Sequence, residues 1–279
     1  MTRRAWNGER DCDRNEMSGA RQSDARTGLL TTERRREILR LLTTRGKVRS
    51  AELSEHFAVS EDTVRRDLRD LADAGLLQRV HGGALPTTPT HVDFSERREE
   101  SPEAKEAIAR AAAALIRPGQ VVIIDAGTTP LEVATHLPYD LRATVITNSP
   151  PVAIALAQHA RLEIHLVGGR LYGAGLAAVG AAAVAAFQAI HADVCILGVA
   201  GLHPEAGIGV LDLEEAHVKA AMIAGSADVV AVAAADKVGA AAPYSVGPIT
   251  LLTHIVTEER VAEASLAAYR KLGITVITA

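Results

Sequence analysis

The chain has 279 residues, of which 48% are hydrophobic and 23% are charged, and its formal net charge is −4. This length allows two domains with cores of their own, and the composition excludes a fully disordered chain. Two cysteines, Cys12 and Cys195, are too few for a disulfide scaffold, so we expect a reduced, cytoplasmic setting. No apolar run has the length of a membrane span, and the N-terminal residues lack the apolar core of a signal peptide.

Charge and composition vary along the chain. Residues 1–30 are rich in Arg, Asp, Glu, Gly and Asn and have no hydrophobic period, which predicts a disordered tail. Residues 1–80 carry 17 Lys and Arg against 14 Asp and Glu, whereas residues 81–279 carry 13 against 20. A mildly basic front on an acidic body is a weak indication of a polyanion-binding module near the N-terminus.

Three helices are predicted after the tail. Apolar spacing predicts a first helix that is capped by Thr32 and ends near Gly46, and a shorter second helix that is capped by Ser50. A tight turn at residues 58–59 leads to a third helix. Ser60 is the predicted cap of this helix, and acids follow it where the helix dipole favours negative charge.

The third helix has one apolar face and one basic face. Val64, Leu68 and Leu71 repeat at i, i+4 and i+7, which predicts a single buried stripe. The arginines between these positions therefore point away from the stripe: Arg65, Arg66 and Arg69. An ordinary charged surface on a small helical domain is the alternative interpretation of this face.

A hairpin is predicted directly after the three helices. Gly75 stops the third helix, and "LLQRVHGGAL" predicts two short strands around Gly82-Gly83. Together these elements describe a winged helix-turn-helix, in which the third helix enters the DNA major groove and the wing contacts the backbone or the minor groove. The predicted DNA-binding residues lie on this helix and on the wing: Ser60, Thr63, Arg65, Arg66, Arg69, Arg79 and His81.

The rest of the chain predicts a second domain of the α/β class. Residues 87–104 are expected to be a linker, although Ser101 and Pro102 form a helix-start signal near its end. From "VVIID" to "ITVIT", apolar strands alternate with amphipathic helices, which predicts a mostly parallel sheet covered on both faces over residues 105–279. Ligands in such sheets bind at the carboxyl ends of the strands.

Polar residues and glycines follow several of these strands. Gly127, Thr128 and Thr129 predict a phosphate cradle at a helix N-terminus, and Asp125 is placed to accept hydrogen bonds from sugar hydroxyls. A small polyol phosphate fits the full candidate set: Asp125, Gly127, Thr128, Thr129, Asn148, Gly168, Gly169, Glu215, Lys219 and Lys237. Each group also has an ordinary structural alternative, namely a helix cap, a glycine turn or a surface ion pair at i, i+4. We expect no metal and no cofactor, since the histidines lack ligand spacing and "GGRLYGAG" is not a dinucleotide fingerprint.

The motifs of both parts resemble one known family. The third helix with its Ser60, Thr63 and Arg65-Arg66-Asp67-Leu68, followed by Arg-Val-His-Gly-Gly-Ala at 79–84, resembles the DNA-binding domain of DeoR-type transcriptional regulators. The stretches "DAGTT", "ITNS", "VGGRL", "EEAHVKAAMI" and "ADKVG" resemble the C-terminal sensor domain of that family, which is similar in fold to ribose-5-phosphate isomerase and CoA transferases. Ala235-Asp236 departs from the pattern, because the family usually has a pair such as Asp-Ser before the last lysine.

The resemblance implies a repressor of a carbohydrate operon that leaves its operator when a phosphorylated sugar binds. Two operator half-sites require two recognition helices, so at least a dimer is expected. A second hypothesis is a phosphosugar isomerase with an added DNA-binding arm, in which Glu215 is the general base. A third is a DNA binder without sequence preference, which the modest charge of the front domain disfavours. The sequence also leaves open whether the protein represses or activates.

Overall fold

The computed structural model describes residues 30–87 and 93–279. Apart from Leu30, the predicted disordered tail lies outside the described residues. Within the described ranges, no helix combines the length and the apolar character needed to cross a membrane.

The N-terminal domain contains three helices and a small antiparallel sheet. Its sheet has the strand order β1-β3-β2, and its core contains apolar residues from all three helices and from the sheet. The elements, in chain order, are α1 Thr31–Arg45, β1 Val48–Arg49, α2 Ser50–Phe57, α3 Glu61–Asp73, β2 Gln78–Val80 and β3 Gly83–Leu85. The arrangement is the predicted winged helix-turn-helix.

One of the three predicted helix caps is confirmed and two are wrong. Ser60 caps α3, because its side chain accepts a hydrogen bond from the Thr63 N–H. Helix α1 begins at Thr31 because the Glu33 carboxylate accepts the Leu30 N–H at 3.2 Å, which moves the start ahead of Thr32. Ser50 is already helical, since β1 runs directly into α2.

The wing has a third strand, which is too short to show in the sequence. Arg49 in β1 pairs with Gly83 in β3. A Cβ atom on Gly83 would lie 2.0 Å from the Val48 carbonyl oxygen, so only glycine allows this close pairing. The second glycine of the predicted turn is therefore a strand residue, and the turn itself lies at His81 and Gly82.

The segment expected to be a linker contains secondary structure. Helix α4 spans Phe94–Glu99, and helix α5 spans Pro102–Ala113. The Phe94 side chain is buried in the second domain, which explains why this segment folds. Pro102 is the first helical residue as predicted, although the Ser101 side chain makes no capping hydrogen bond.

The second domain is built on a seven-stranded sheet in which every pair is parallel. The strand order is β15-β14-β12-β9-β4-β5-β6. Its strands are β4 Val121–Ile124, β5 Ala143–Thr147, β6 Leu162–Leu166, β9 Ala192–Gly198, β12 Ser226–Val232, β14 His254–Thr257 and β15 Thr275–Thr278. Successive residues face opposite sides: Ile123 and Cys195 belong to one core, and Val122 and Val194 belong to the other. This confirms the predicted parallel sheet.

Helices cover both faces, and two antiparallel units are added at the edge where the strands end. The remaining helices are α6 Thr128–Thr135, α7 Pro150–Leu156, α8 Ala181–Gln188, α9 Leu213–Ala224 and α10 Glu263–Lys271, with short 3₁₀ helices at Ala235–Lys237 and Ile249–Leu251. The added strands are β7 Arg170–Tyr172 with β8 Ala177–Val179, and β10 Gly201–His203 with β11 Gly207–Val210 and β13 Tyr244–Gly247.

Candidate DNA-binding surface and effector cavity

The packing of α3 fixes which side chains it exposes. Val64, Leu68 and Leu71 are buried in the domain core, as the sequence predicts. The Ser60 hydroxyl accepts the Thr63 N–H at 3.2 Å and lies 3.0 Å from the Thr63 hydroxyl oxygen. The Ser60 side chain therefore accepts a backbone N–H group that the start of α3 would otherwise leave without a partner.

The arginines of α3 are exposed, but they differ in their partners. The Arg65 guanidinium pairs with Glu61 at 2.6 Å and with Asp62 at 3.7 Å. Within the part of the chain that the structure describes, Arg66 and Arg69 form no salt bridge. Arg66 and Arg69 are therefore cations that can neutralise DNA phosphates without first breaking an ion pair.

A buried ionic cluster sets the orientation of α3 against α1. Asp67 lies on α3 and is almost fully buried. Its carboxylate accepts from the Arg34 Nε at 2.5 Å and from the Arg35 Nε at 3.0 Å, and Arg35 also pairs with Asp70. Asp67 therefore has a structural task within the Arg-Arg-Asp-Leu stretch, because it holds the helix that carries the exposed arginines.

A cavity of about 730 Å³ opens at the carboxyl ends of the central strands. The chain proceeds from β4 outward through β5 and β6, then returns to place β9 on the other side of β4. Loops that follow two neighbouring strands diverge at this position, where open α/β sheets bind ligands. Residues 126–130 after β4 and residues 198–200 after β9 line the cavity.

The start of α6 presents polar groups to the cavity. Gly127 precedes the helix with φ 134°, a conformation that favours glycine, and Thr128 and Thr129 occupy the first turn. The Thr129 hydroxyl is buried and has no hydrogen-bond partner among the described residues. N–H groups at a helix start attract anions, and a nearby hydroxyl without a partner can add a further hydrogen bond to one.

A buried ion pair lies beneath the floor of the cavity. Asp125 and Lys219 are each only 1% exposed, and they form a salt bridge. The same Asp125 oxygen accepts the Gly198 N–H at 2.9 Å, and the Lys219 ammonium lies 3.2 Å from the Glu215 carboxylate. Burial opposes the charged ammonium, but the two carboxylates outweigh burial and raise the pKa of Lys219 above its ordinary value. Lys219 therefore stays charged and holds Glu215, whose carboxylate lies on the cavity wall.

Cations and carboxylates both line the rest of the cavity: Arg97, Lys105, Lys237 and Arg260 with Asp93, Glu96, Glu100 and Asp236. Lys237 lies at the end of the 3₁₀ helix, and its ammonium makes no hydrogen bond or salt bridge to any residue that the structure describes. Burial lowers its pKa, and although Asp236 opposes this, repulsion from Arg97, Lys105 and Lys219 adds to the lowering. An anion bound beside Lys237 would offset the repulsion among these cations.

Comparison with known proteins gives the family. Residues 34–90 match the model of the DeoR-like helix-turn-helix domain, and residues 100–259 match that of the DeoR C terminal sensor domain. The chain belongs to the DeoR family. It is 34% identical to the HTH-type transcriptional regulator GlpR of Haloferax volcanii over 89% of this chain and 98% of that protein. It is also 34% identical to the glycerol-3-phosphate regulon repressor of Escherichia coli over 81% of this chain and 90% of that protein.

The chain is also similar to a solved enzyme structure. Ribose 5-phosphate isomerase A of Methanocaldococcus jannaschii is 12% identical, with a TM-score of 0.37 over 50% of this chain and 55% of that one.

In this DeoR-family chain, half of the predicted effector residues line the cavity together: Gly127, Thr128, Thr129, Glu215 and Lys237. These five residues come from three separate segments that follow or cover the ends of the strands. They combine hydroxyls, a carboxylate and an ammonium, which are the groups that a phosphorylated polyol requires.

The other predicted effector residues lie outside the cavity lining. Asp125 and Lys219 lie beneath the floor of the cavity, where the Lys219 ammonium forms salt bridges with both Asp125 and Glu215. Asn148 is buried, and its amide donates to the Ala178 carbonyl at 3.0 Å. A Cβ atom on Gly169 would lie 2.6 Å from the Val179 carbonyl oxygen, so close packing explains this glycine. Gly168 is also absent from the cavity lining.

The sequence did not reveal Arg97 and Lys105, which line the cavity from α4 and α5. Both lie in or next to the segment that was expected to be a linker. The signal that was available is the spacing of Phe94 and Arg97 at i, i+3, since it places an apolar anchor and a cation on one side of a helical turn.

Proposed function

We propose that this DeoR-family chain represses an operon for carbohydrate use. Its winged helix binds operator DNA through α3 and the wing, and a phosphorylated sugar or polyol in the cavity releases the protein from DNA. The proposal rests on the cavity at the carboxyl ends of β4 and β9, where hydroxyls, a helix start and cations lie together. The other domain of the same chain exposes Arg66 and Arg69. The similarity to the glycerol-3-phosphate regulon repressor of Escherichia coli supports this ligand class.

The contacts between the domains suggest how the ligand acts on DNA binding. Lys237 lines the cavity, and four residues later the Ala241 N–H donates to the Pro86 carbonyl at 2.9 Å, just after the wing. The loop between β10 and β11 supplies a second contact, in which Glu205 pairs with Lys47 of the DNA-binding domain. A ligand that draws Lys237 toward itself moves the segment that holds the end of the wing.

Release then follows from a shift between two arrangements of the DNA-binding domains. A ligand that binds more tightly to the arrangement that does not fit the operator lowers the affinity of the protein for DNA. The free energy by which the ligand weakens DNA binding equals the free energy by which DNA weakens ligand binding. Operator half-sites require two recognition helices in one assembly, so we propose at least a dimer. Action on operator DNA accords with a cytoplasmic location.

We also propose that the cavity binds its ligand without catalysis. The Glu215 carboxylate, which catalysis would need as a free general base, already contacts the Lys219 ammonium at 3.2 Å. Both relatives named above are transcriptional regulators, which supports the same conclusion. Turnover of any sugar phosphate by the purified protein would contradict it.

A gel-shift titration tests the regulatory function. The purified protein is titrated on DNA from upstream of its own gene, with random DNA as competitor, and then across a panel of sugar phosphates and their dephosphorylated forms. We expect one specific complex that a phosphorylated compound dissolves and its dephosphorylated form does not. No specific complex on this or neighbouring upstream DNA would contradict the function.

Arg66→Ala tests the DNA surface in the same assay, with Arg161→Ala as the matched control, because Arg161 is an exposed arginine of the other domain. If Arg66 reads a guanine, its loss costs about 1–3 kcal/mol and relaxes specificity. If it contacts phosphate, affinity falls on all DNA and the slope of log K against log salt falls by about 0.9. Equal operator affinity in both variants at fixed salt would remove Arg66 from the surface.

A further inference from the structure

Helix α4 forms one wall of the effector cavity, although it belongs to the segment between the two domains. Phe94 anchors the helix in the core of the sensor domain. Arg97 follows one turn later, with its guanidinium carbon 5.9 Å from the centroid of the Phe94 ring, and it lines the cavity. This cation–π contact holds the side chain in place along the wall.

The Arg97 guanidinium has only some of its hydrogen-bond donors paired. It donates to the carbonyl of Ala174, which lies in the loop between β7 and β8 and also lines the cavity. Its Nε is buried and has no hydrogen-bond partner among the described residues, and within these residues Arg97 forms no salt bridge. A buried donor without an acceptor is costly, and a ligand oxygen would remove that cost.

Lys105 holds Arg97 in this position. Its buried ammonium donates to the carbonyls of Arg97 and of Glu100, the latter at 2.5 Å, at the C-terminal end of α4. Burial lowers the pKa of Lys105, Glu100 opposes the lowering, and the Arg97 guanidinium adds to it. Lys105 therefore joins the end of α4 to α5 and leaves the Arg97 guanidinium facing the cavity beside Lys237.

We propose that Arg97 binds the phosphate of the effector and that Lys105 is its positioning residue. This inference rests on the proposed function, since it names the group that anchors the same ligand. The planar guanidinium can offer two parallel N–H groups to two phosphate oxygens, one of them the Nε–H that has no partner. Because α4 follows the wing in the chain, the ligand then contacts the connection between the domains directly.

The test is calorimetric titration of the full chain with inorganic phosphate, glycerol 3-phosphate and glycerol. The variants are Arg97→Ala, Arg97→Lys and Arg98→Ala; Arg98 is the matched control, because it is exposed on the same helix and outside the cavity lining. We expect Arg97→Ala to weaken glycerol 3-phosphate binding roughly 10- to 100-fold, which is the loss of one charge-assisted pair. Arg97→Lys should be intermediate, and Arg98→Ala should match the parent protein.

The positioning role of Lys105 is tested by combining substitutions. Lys105→Met should weaken binding by itself but add nothing to Arg97→Ala, because a residue that acts through Arg97 has no effect once Arg97 is gone. A further tenfold loss in the double variant would overturn the positioning role and make Lys105 a direct ligand.

The other outcomes separate this inference from the proposed function. Binding of glycerol 3-phosphate that is equal in the parent and in Arg97→Ala would overturn the role of Arg97 and leave the regulatory function standing. Loss of operator affinity in Arg97→Ala without any ligand would also overturn it, since Arg97 would then serve the domain interface. Failure of the parent protein to bind either phosphate compound would overturn the phosphate anchor and the proposed effector class together.

Discussion

Replacing Lys219 by methionine tests whether this lysine supports the cavity from below. Lys219 and Asp125 are both 1% exposed, so Lys219→Met leaves a buried carboxylate with the Gly198 N–H as its remaining partner. Breaking a buried ion pair on one side costs about 3–5 kcal/mol. Asp125→Asn should cost less, because an amide oxygen still accepts the Gly198 N–H and Lys219 keeps Glu215 at 3.2 Å.

The double variant supplies the decisive comparison. Removing both charges leaves no unpaired ion in the fully buried pair, and Glu215, which also loses Lys219, lies on the cavity wall; the combined cost should therefore fall below the sum of the single costs by about 2 kcal/mol or more. The opening of the sensor domain can be followed by trapping the buried Cys195 thiol at increasing urea concentrations, with the other cysteine replaced. A loss below about 1 kcal/mol for Lys219→Met, together with lost effector binding, would refute the reasoning and make Lys219 a direct ligand.

Three further predictions concern parts of the molecule away from the cavity. Asp67→Asn should destabilise the DNA-binding domain by about 3 kcal/mol, because it removes the charge that faces Arg34 in the core; urea unfolding followed by circular dichroism measures this, and an unchanged midpoint would contradict it. Cys195 should resist a thiol reagent in the native protein when the other cysteine is replaced, because burial raises the pKa of its thiol; labelling before urea is added would show that the core is open. Lys47→Glu should reduce the effect of the ligand on operator affinity up to about fivefold, because it places two carboxylates together at Glu205. Gel shifts with and without ligand measure this effect. Unchanged release by the ligand would show that this contact takes no part in the coupling.

Periodicity predicted the parts of the fold whose burial follows one simple repeat. The stripe on α3 repeats at helical spacing, and each central strand is an apolar run, so both could be inferred without coordinates. Strand β1 could not, because two residues carry no period and their pairing depends on Gly83. Helix α4 was missed for a related reason, since its single apolar anchor, Phe94, is buried by residues that are distant in the chain.

The site was predictable only where chemistry and position coincide. Thr128 and Thr129 follow a strand and begin a helix, so both their chemistry and their place at the edge of the sheet could be inferred. Lys219 has a chemistry that suits a phosphate; its i, i+4 pair with Glu215 was open to sequence reasoning, but its buried salt bridge with Asp125 was not, because those two residues are distant in the chain. For Arg97 the chemistry also suits a phosphate, but the sequence did not show its position in the cavity. It lies in a segment that the sequence predicts to be a linker.

The energetics of the domain contacts indicate which of them transmits the signal. Coupling between an effector and DNA is typically about 1–3 kcal/mol. The pair between Lys47 and Glu205 is 40% and 66% exposed, and exposed pairs contribute at most about 1 kcal/mol, which is screened by salt. The hydrogen bond from the Ala241 N–H to the Pro86 carbonyl and the neighbouring bridge at Thr87 lie on backbone that also leads to Lys237. We therefore expect most of the coupling to pass through residues 237–241, so that ligand-driven release persists at salt concentrations that screen the exposed pair.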